Sequence, residues 1–364
     1  MRRFEPKITI FEPKRNKDIV DSLYINILRY LQYHPESSRS EIMEGIGTDA
    51  SPASVKRRMA DAVKAGDAVV IGAGRATKFR LTERALLLMP FDIDTYFQKE
   101  VDKRQIHSSY NFELISDLLP KVDIFSKEEM DTLNTAQQKF QKKISELTEN
   151  EYRKEMERLG IDLSWKSSQI EGNTYTLLET ERLLKEKITA SGKTQEEAIM
   201  LLNHKDALKF VLDNPNYMSS LTIHRIEDIH SILTKELDVD KGLRRRRVGI
   251  TGTNYSPLDN QFQIEDALKA TCDLINGKEN RFEKALLAIL LLSYIQPFSD
   301  GNKRTARITG NALLIAGGYC PMSFRSVDSI DYKKAMLIFY EQNNISAFKK
   351  IFIDQYIFAV ESYF

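Results

Sequence analysis

Cysteine is scarce in this sequence: 364 residues contain two, Cys272 and Cys320. Two distant thiols cannot build a disulfide framework or a four-ligand zinc site, which excludes a small disulfide-stapled domain and is typical of a reducing compartment. We therefore expect the cytoplasm. An excess of charge of one sign is also missing, since 53 Lys and Arg face 52 Asp and Glu. With a net charge of +1, any binding of nucleic acid or anionic lipid has to be local.

Long apolar runs are also missing. The most apolar stretch, Ala285–Ile295, is about half the length that spans a bilayer, and the N-terminal residues contain no apolar core of a signal peptide. We expect no membrane partner. A short helix that is apolar on every side is typical of the buried centre of an α-helical domain. The composition, 42% apolar and 29% charged, is that of a globular protein of two or three domains.

The first 90 residues contain three helical patterns followed by two strand-like runs. The helical patterns cover Ile19–Tyr33, the stretch from Ser38 or Ser40 to Ile46, and Ser51–Gly66. The runs AVVIG and KFRLT, separated by Ala73–Arg75, predict a β-hairpin. This order, with SRSEI at the second helix and FRLTERA after the hairpin, resembles the winged helix-turn-helix family.

That resemblance implies that the third helix meets DNA. Residues 1–90 hold 16 Lys and Arg against 11 Asp and Glu, a net charge of +5. The candidate DNA-binding residues are Lys56, Arg57, Arg58 and Lys64 on the third helix, with Arg75 and Lys78 at the wing. Winged helices also serve as protein-docking modules, and +5 is a modest excess, so both functions stay open.

The rest of the chain is helical in pattern. Residues 91–125 form a bridging segment of low information, and capping boxes that begin at Ser126 and Thr148 start two long helices. One stretch differs: Val248–Tyr255 is rich in Gly, Thr and β-branched residues and predicts a short hairpin between helices. The basic run before it, Arg244–Arg247, could bind nucleic acid, but such a run is more often solvated.

The stretch Gln296–Arg307 has the strongest chemical character. Its pattern predicts that an apolar helix ends at Pro297, that a tight loop follows, and that a second helix begins near Lys303. A glycine-containing loop that leads into a helix directs several backbone N–H groups at one point, which suits a phosphate. Two guanidiniums lie nearby in sequence, and Asp300 offers a carboxylate for Mg²⁺. The alternative is a plain helix–loop–helix corner with Gly-Asn as a cap.

The same stretch resembles the motif of the Fic/Doc (Fido) family, His-x-Phe-x-[Asp/Glu]-Gly-Asn-Gly-Arg-x-x-Arg. Six of its eight defined positions are matched, by Phe298, Asp300, Gly301, Asn302, Arg304 and Arg307. The resemblance covers about residues 125–360. It implies a mainly α fold, in which an all-α core carries one β-hairpin flap, with the small winged-helix domain before it. The implied domains are 1–90, 91–125 and 126–360, the last with an inhibitory helix near 160–173.

The resemblance also implies an activity: AMPylation, in which a nucleotidyltransferase moves AMP from ATP to a hydroxyl of a protein target, with Mg²⁺. The nucleotide would lie on the matched residues and Lys303. Asp300 would be the metal ligand, and Asp300 and Arg304 would be catalytic residues. The target would dock on a flap formed by Val248, Gly249, Ile250, Thr251, Gly252, Thr253, Asn254 and Tyr255. The family often dimerises, so a second copy of the chain is a further implied partner.

Two positions depart from the motif. Gln296 occupies the place of the His that acts as general base in the family, and a carboxamide has no usable basicity near neutral pH. We therefore expect impaired transfer. Lys303 stands where the commoner form has Gly, as in the Doc-type variant, and this leaves open whether AMP or phosphate is transferred.

A second family feature lies upstream, where Ser167, Glu171 and Gly172 match the inhibitory pattern [Ser/Thr]-x-x-x-Glu-[Gly/Asn]. The resemblance implies that Glu171 pairs with Arg307 and excludes the γ-phosphate, as an Arg–carboxylate fork can. The alternative is a solvated Glu171 at the end of an ordinary helix.

The five histidines show no spacing of a metal site, and His224 and His230 should face different sides of one helix. Two functions of different class remain: an autoinhibited, impaired adenylyltransferase, or a non-catalytic nucleotide-sensing regulator that binds DNA through the winged helix.

Overall fold

Serine and threonine side chains cap the N-termini of many of the helices. Ser126 and Thr148 each accept a hydrogen bond from the backbone three residues on, and the Glu at that position bonds back to the cap. These reciprocal bonds satisfy amides that a helix start otherwise leaves unpaired. Both capping boxes predicted from the sequence are confirmed, and Ser38, Thr176 and Thr194 form three more.

The structure is a computed structural model that describes residues 22–47 and 50–364. The chain forms two units, Met1–Leu86 and Leu87–Phe364. The first contains α1 (Ser22–Tyr33), α2 (Arg39–Gly45), α3 (Pro52–Lys64), β1 (Ala68–Ile71) and β2 (Lys78–Leu81). The two strands are antiparallel, with Ala68 opposite Leu81 and Ile71 opposite Lys78. Three helices and a hairpin are thus present as predicted, while the expected start of the first helix, at residues 19–21, lies outside the described residues.

The second unit is almost wholly helical. Its boundary with the first falls in α4 (Glu83–Leu88). The helices that follow are α5 (Ile93–Phe97), α6 (Lys127–Glu146), α7 (Glu149–Ile170), α8 (Leu177–Glu186), α9 (Gln195–Asp213), α10 (Ile223–Leu233), α11 (Gln261–Gly277), α12 (Arg281–Ile295), α13 (Asn302–Ala316), α14 (Ser329–Gln342) and α15 (Ser346–Tyr363). The mainly α fold is confirmed.

Helix α12 is the centre of this unit. Every residue of Ala285–Ile295 is buried, as the apolar run predicts. Helix α13 packs closely on it at Gly310, where an added Cβ would lie 2.7 Å from Ile289. The site corner Gln296–Arg307 therefore begins directly after a fully buried helix segment of the core. In the described ranges, no helix combines the length and apolarity that crossing a bilayer requires.

Residues 91–125, predicted as a bridging segment, lie within the second unit. Tyr110, Leu114 and Leu119 of this segment belong to its hydrophobic core. The segment also holds a buried polar cluster against α14: the Tyr96 hydroxyl donates to Glu341 at 2.6 Å, and Arg104 pairs with the same carboxylate at 3.3 Å.

The segment Val248–Tyr255 does not have the predicted conformation. It contains a turn at 251–252 and no strand, so the predicted hairpin is not formed. Two short Gly- and Thr-rich arms make too few cross-strand contacts to be stable by themselves. The loop is held from the side instead, because Arg104 donates to the Gly252 carbonyl at 3.1 Å. We call Val248–Tyr255 the flap loop.

Candidate active site

The corner between α12 and α13 is shaped by two residues in the left-handed conformation. Gln296 ends α12 with φ of 51°, and Gly301 precedes α13 with φ of 79°. Asn302 closes the loop between them, since its side chain accepts from the Phe298 amide and donates to the Phe298 carbonyl, both at 2.8 Å. No side chain caps α13. The first amides of this buried helix start therefore face an anion-binding position with a positive helix dipole.

His230 supports the loop from below. Its ring stacks on Phe298 with centroids 3.7 Å apart, and Nε2 donates to the Asp300 carbonyl at 3.0 Å. Burial lowers the pKa of His230 to about 4, so the ring is neutral at pH 7. No role for this residue follows from the sequence. The prediction that His224 and His230 face different sides of one helix is confirmed, because His224 is exposed and His230 is buried.

The environment of Arg244 also differs from the prediction. The basic run Arg244–Arg247 was expected to be solvated, but Arg244 is 3% exposed. Its Nε donates to the Gln296 carbonyl at 2.6 Å, and its backbone amide donates to the Pro297 carbonyl at 3.0 Å. Carbonyls at the end of α12 have no partner within the helix, and the guanidinium satisfies them. The other three arginines of the run are exposed.

A cavity of about 430 Å³ opens above the corner. This volume suits a small-molecule ligand. One wall is the corner itself, a second is the first half of the flap loop, and a third comes from α7 and α14. The lining residues are Ile170, Glu171, Val248, Gly249, Ile250, Thr251, Gln296, Ser299, Asp300, Gly301, Asn302, Lys303, Arg304, Tyr332, Lys333, Met336, Leu337 and Tyr340.

Several predicted site residues lie elsewhere. Phe298 is buried beneath the loop, and Arg307 is fully buried behind Glu171. From Gly252 onwards the flap loop leaves the cavity. Tyr255 at its end is a core residue, 2% exposed, and stacks on Tyr294 at 4.7 Å.

Gln296, at the position of the family's base, has its side chain turned back onto α12. Its Nε2 donates to the Ser293 carbonyl at 2.7 Å, and the residue is 7% exposed. The carboxamide keeps one acceptor oxygen, and neither of its polar atoms titrates near neutral pH.

Arg304 combines burial with an unused donor. The residue is 2% exposed, and its NH2 group pairs with Asp300 at 3.1 Å. NH1 is buried and has no hydrogen-bond partner. Burial lowers the pKa of Arg304, but a guanidinium stays charged at neutral pH. Arg304 lines the cavity, and a buried charged donor that lacks an acceptor fits a phosphate oxygen that enters it.

Asp300 is the one carboxylate on the loop, and its side chain is 68% exposed. Mg²⁺ is commonly held by one or two carboxylates together with substrate phosphates, so this exposed group fits a metal that arrives with a nucleotide. The described residues contain no cluster of three or more His, Cys, Asp or Glu side chains that could hold a metal alone.

Glu171 closes the back of the cavity. It ends α7, followed by Gly172 with φ of +102°, and its side chain is 18% exposed. Oε1 accepts from Arg307 at 2.9 Å and Oε2 accepts from the Lys303 ammonium at 3.2 Å. The ion pair implied by the resemblance is therefore present, and a solvated Glu171 is excluded. Burial acts to raise the pKa of Glu171, but Arg307 and Lys303 outweigh it and hold the pKa below its usual range.

Arg307 is fixed from a second side. Its Nε donates to the Ser167 hydroxyl and its NH2 group to the Ser167 carbonyl, both at 2.8 Å. His204, fully buried, contacts the same hydroxyl through Nε2 at 2.7 Å. Burial and the neighbouring Arg307 hold the pKa of His204 well below its usual value. No local sequence signal connects His204 with a serine 37 positions earlier.

In the first unit, the candidate DNA-binding residues differ in availability. Lys56, Arg57 and Lys64 are exposed on α3, and Arg75 is exposed between the strands. Arg58 is half-buried and pairs with Asp61 at 2.9 Å.

The structure has solved neighbours of the same fold. Fic-1 (aa134–508) from C. elegans aligns with a TM-score of 0.57 and 20% identity over 65% of this chain and 72% of that chain. A Fic domain-containing signaling protein from Bacteroides thetaiotaomicron aligns with a TM-score of 0.54 and 20% identity over 63% of this chain and 94% of that chain. At this identity the likeness shows the fold.

The sequence is also similar to proteins that are named protein adenylyltransferase Fic. A protein adenylyltransferase Fic of Nematostella vectensis is 28% identical over 295 residues, 74% of this chain and 68% of that protein. One of Aedes aegypti is 31% identical over 168 residues, 42% of this chain and 32% of that protein. The chain thus spans about two thirds of one relative and about a third of the other. Residues 220–314, which include the whole corner Gln296–Arg307, match the model of the Fic/DOC family.

Proposed function

We propose that the cavity is the ATP site of a Fic-type protein adenylyltransferase, closed by Glu171 and impaired by Gln296. One observation carries the proposal: the uncapped start of α13 and Arg304, whose buried NH1 group has no partner, both line the cavity, beside a carboxylate that already occupies Arg307. Such an arrangement is built to bind an anion and is partly filled by an internal one.

Each residue has a role in this proposal. The amides of Gly301 and Asn302 and the guanidinium of Arg304 would hold the nucleotide phosphates, while Asp300 would take one position of Mg²⁺. When bound, the metal supplies charge neutralisation on the phosphate oxygens. The flap loop from Val248 to Thr251 forms the wall along which a protein target would present its hydroxyl.

Gln296 limits the chemistry. Its free oxygen can accept a hydrogen bond from a target hydroxyl, so the hydroxyl can be oriented, but the carboxamide cannot take the proton. General-base catalysis contributes typically 10²–10⁴-fold, and we expect a loss of that order.

The first experiment uses two labels on four variants: the parent chain, Glu171→Gly, Gln296→His and the double variant. Transfer from α-³²P-ATP reports AMP, and transfer from γ-³²P-ATP reports phosphate, which the Doc-type Lys303 leaves open. We expect the α-label on protein with Gln296→His, more of it with the double variant, and little with the parent or Glu171→Gly.

Two results would count against the proposal. A γ-label without α-label would replace AMP transfer by phosphate transfer. No label from either nucleotide with the double variant, in a protein that still melts cooperatively, would reject a transferase altogether.

A second function is favoured by a separate observation. Lys56, Arg57 and Lys64 are exposed on one helix of the first unit, and none of them has an ion-pair partner within the described residues. Exposed cations on the third helix of a three-helix-plus-hairpin unit suit contact with DNA phosphates. In this second proposal, the chain is a nucleotide-sensing regulator that binds DNA through a winged helix.

The test measures retention of random duplex DNA by the whole chain at several salt concentrations. Replacing Lys56, Arg57 and Lys64 together by Gln should weaken binding and reduce the slope of log K against log salt by roughly three phosphate contacts. The matched control replaces the exposed Lys127, Lys142 and Lys154 of the second unit, which carries the same change in net charge. Equal loss in both triple variants would reduce the effect to general electrostatics.

A further inference from the structure

Glu171 has two cationic partners rather than one. Each of its carboxylate oxygens has its own donor: Oε1 is bonded to Arg307 and Oε2 to Lys303. The two donors are four residues apart on α13 and therefore lie on the same face of that helix. A single family-type pair leaves the second donor unexplained.

The two cations differ in freedom. Arg307 is fully buried, held by Ser167 and by Glu171, and it does not line the cavity. Lys303 lines the cavity, and its side chain is 29% exposed. An ammonium on a four-carbon stem has three donors and several rotatable bonds, so it can follow an anion that a fixed guanidinium cannot.

Charge decides what replaces Glu171 when it leaves. Its withdrawal removes one negative charge and leaves two cations, Lys303 and Arg307, without their carboxylate. The remaining acid on the loop, Asp300, is paired with Arg304. Two neighbouring cations, one of them fully buried, favour a dianionic group, such as a terminal phosphate, over a monoanionic one.

We infer that Lys303 is a specificity-determining residue of the nucleotide site: it holds Glu171 in the closed state and, once Glu171 has left, binds the terminal phosphate of a nucleoside triphosphate. This inference rests on the proposed nucleotide site. It assigns to the one basic departure from the family motif a selection for triphosphate over diphosphate and monophosphate.

The experiment is calorimetric titration of ATP, ADP and AMP, each with Mg²⁺, into the full-length Glu171→Gly variant and into Glu171→Gly/Lys303→Met. Met keeps the apolar stem and removes the charge. We expect Lys303→Met to weaken ATP binding about 10-fold or more, as loss of one charge-assisted bond does, and to change ADP and AMP binding less than about 3-fold. The control Glu171→Gly/Lys142→Met removes the charge of an exposed lysine on α6 and should leave all three affinities unchanged.

The outcomes separate the two levels. Equal weakening of ATP, ADP and AMP, or no weakening at all, overturns the selectivity inference while the nucleotide site stands. Failure of Glu171→Gly to bind any of the three overturns the proposed site and the inference with it. Thermal melting of each variant without nucleotide confirms that the comparison is between folded proteins.

Discussion

Glu171 is a residue whose removal should act on stability and affinity in opposite directions. Glu171→Gly leaves the buried Arg307 without its carboxylate, which should lower the melting temperature of the nucleotide-free protein. It also frees both cations for phosphate, and a charge-assisted pair of about 1.5–3 kcal/mol corresponds to tighter ATP binding by roughly 10–100-fold. Calorimetry and thermal melting with and without ATP measure both effects.

Glu171→Gln is the matched control, since it keeps the shape and some hydrogen bonds and removes the charge. Its affinity for ATP should lie between those of the parent and Glu171→Gly. Glu171→Gly/Arg307→Ala should lose the gain. ATP binding by Glu171→Gly that is no tighter than that of the parent would mean that the carboxylate does not compete with the nucleotide.

For individual residues, the sequence predicted the ion pair whose two members each lie in a recognisable motif, and it missed contacts between residues far apart in the chain. Glu171 and Arg307 could be paired because each of them matches a family motif. Arg244 was misjudged because a run of four arginines looks solvated, and only the end of α12 shows which of them is buried. His204 and His230 were missed because their partners, Ser167 and Asp300, come from other helices and loops.

Helices α12 and α13 pack tightly against each other at Gly310. Gly310→Ala would place a methyl group 2.7 Å from Ile289 and 3.1 Å from the carbonyl of Ala285. Overpacking of this kind costs typically 1–3 kcal/mol, so we expect the urea midpoint to fall. Because α13 carries Lys303, Arg304 and Arg307, ATP binding by Glu171→Gly/Gly310→Ala should weaken as well.

Gly277→Ala serves as control, because nothing lies within 4 Å of an added Cβ there. Its free energy of unfolding should stay within about 0.5 kcal/mol of the parent's. A Gly310→Ala variant as stable as Gly277→Ala would mean that the two helices separate readily at this point.

Helices were predictable from the sequence where a capping motif marks their first residue. Ser126 and Thr148 predicted two helix starts correctly because a capping box is a local pattern with a local cause. The prediction of a hairpin at the flap loop was wrong. Gly and β-branched residues suggest a hairpin, whereas the conformation of this loop depends on Arg104, almost 150 positions away.

For the whole molecule, the buried neutral histidines predict sensitivity to acid. The pKa of His230 is lowered by burial to about 4, from 6.5 in an unfolded chain, and burial also holds the pKa of His204 well below its usual value. A depressed histidine pKa means that the unfolded state binds more protons, so the contribution is full above pH 6.5 and is lost as pH falls toward 4. His230 alone should account for about 3 kcal/mol across that window.

Urea unfolding at pH 7.5, 6 and 5 measures this dependence. His230→Gln should flatten the decline between pH 6.5 and 4, while His224→Gln, at an exposed position of the same helix, should leave it unchanged. An unchanged slope in both variants would place the acid sensitivity elsewhere in the chain.

The buried polar cluster of Tyr96, Arg104 and Glu341 also bears on the rate at which a target would bind. It restrains the flap loop at the Gly252 carbonyl before any target arrives, so part of the conformational entropy that a free loop loses on docking has already been lost. The proposed protein target would therefore meet a surface with a defined shape. Disrupting this cluster should change the association rate of a target more than the affinity for the nucleotide.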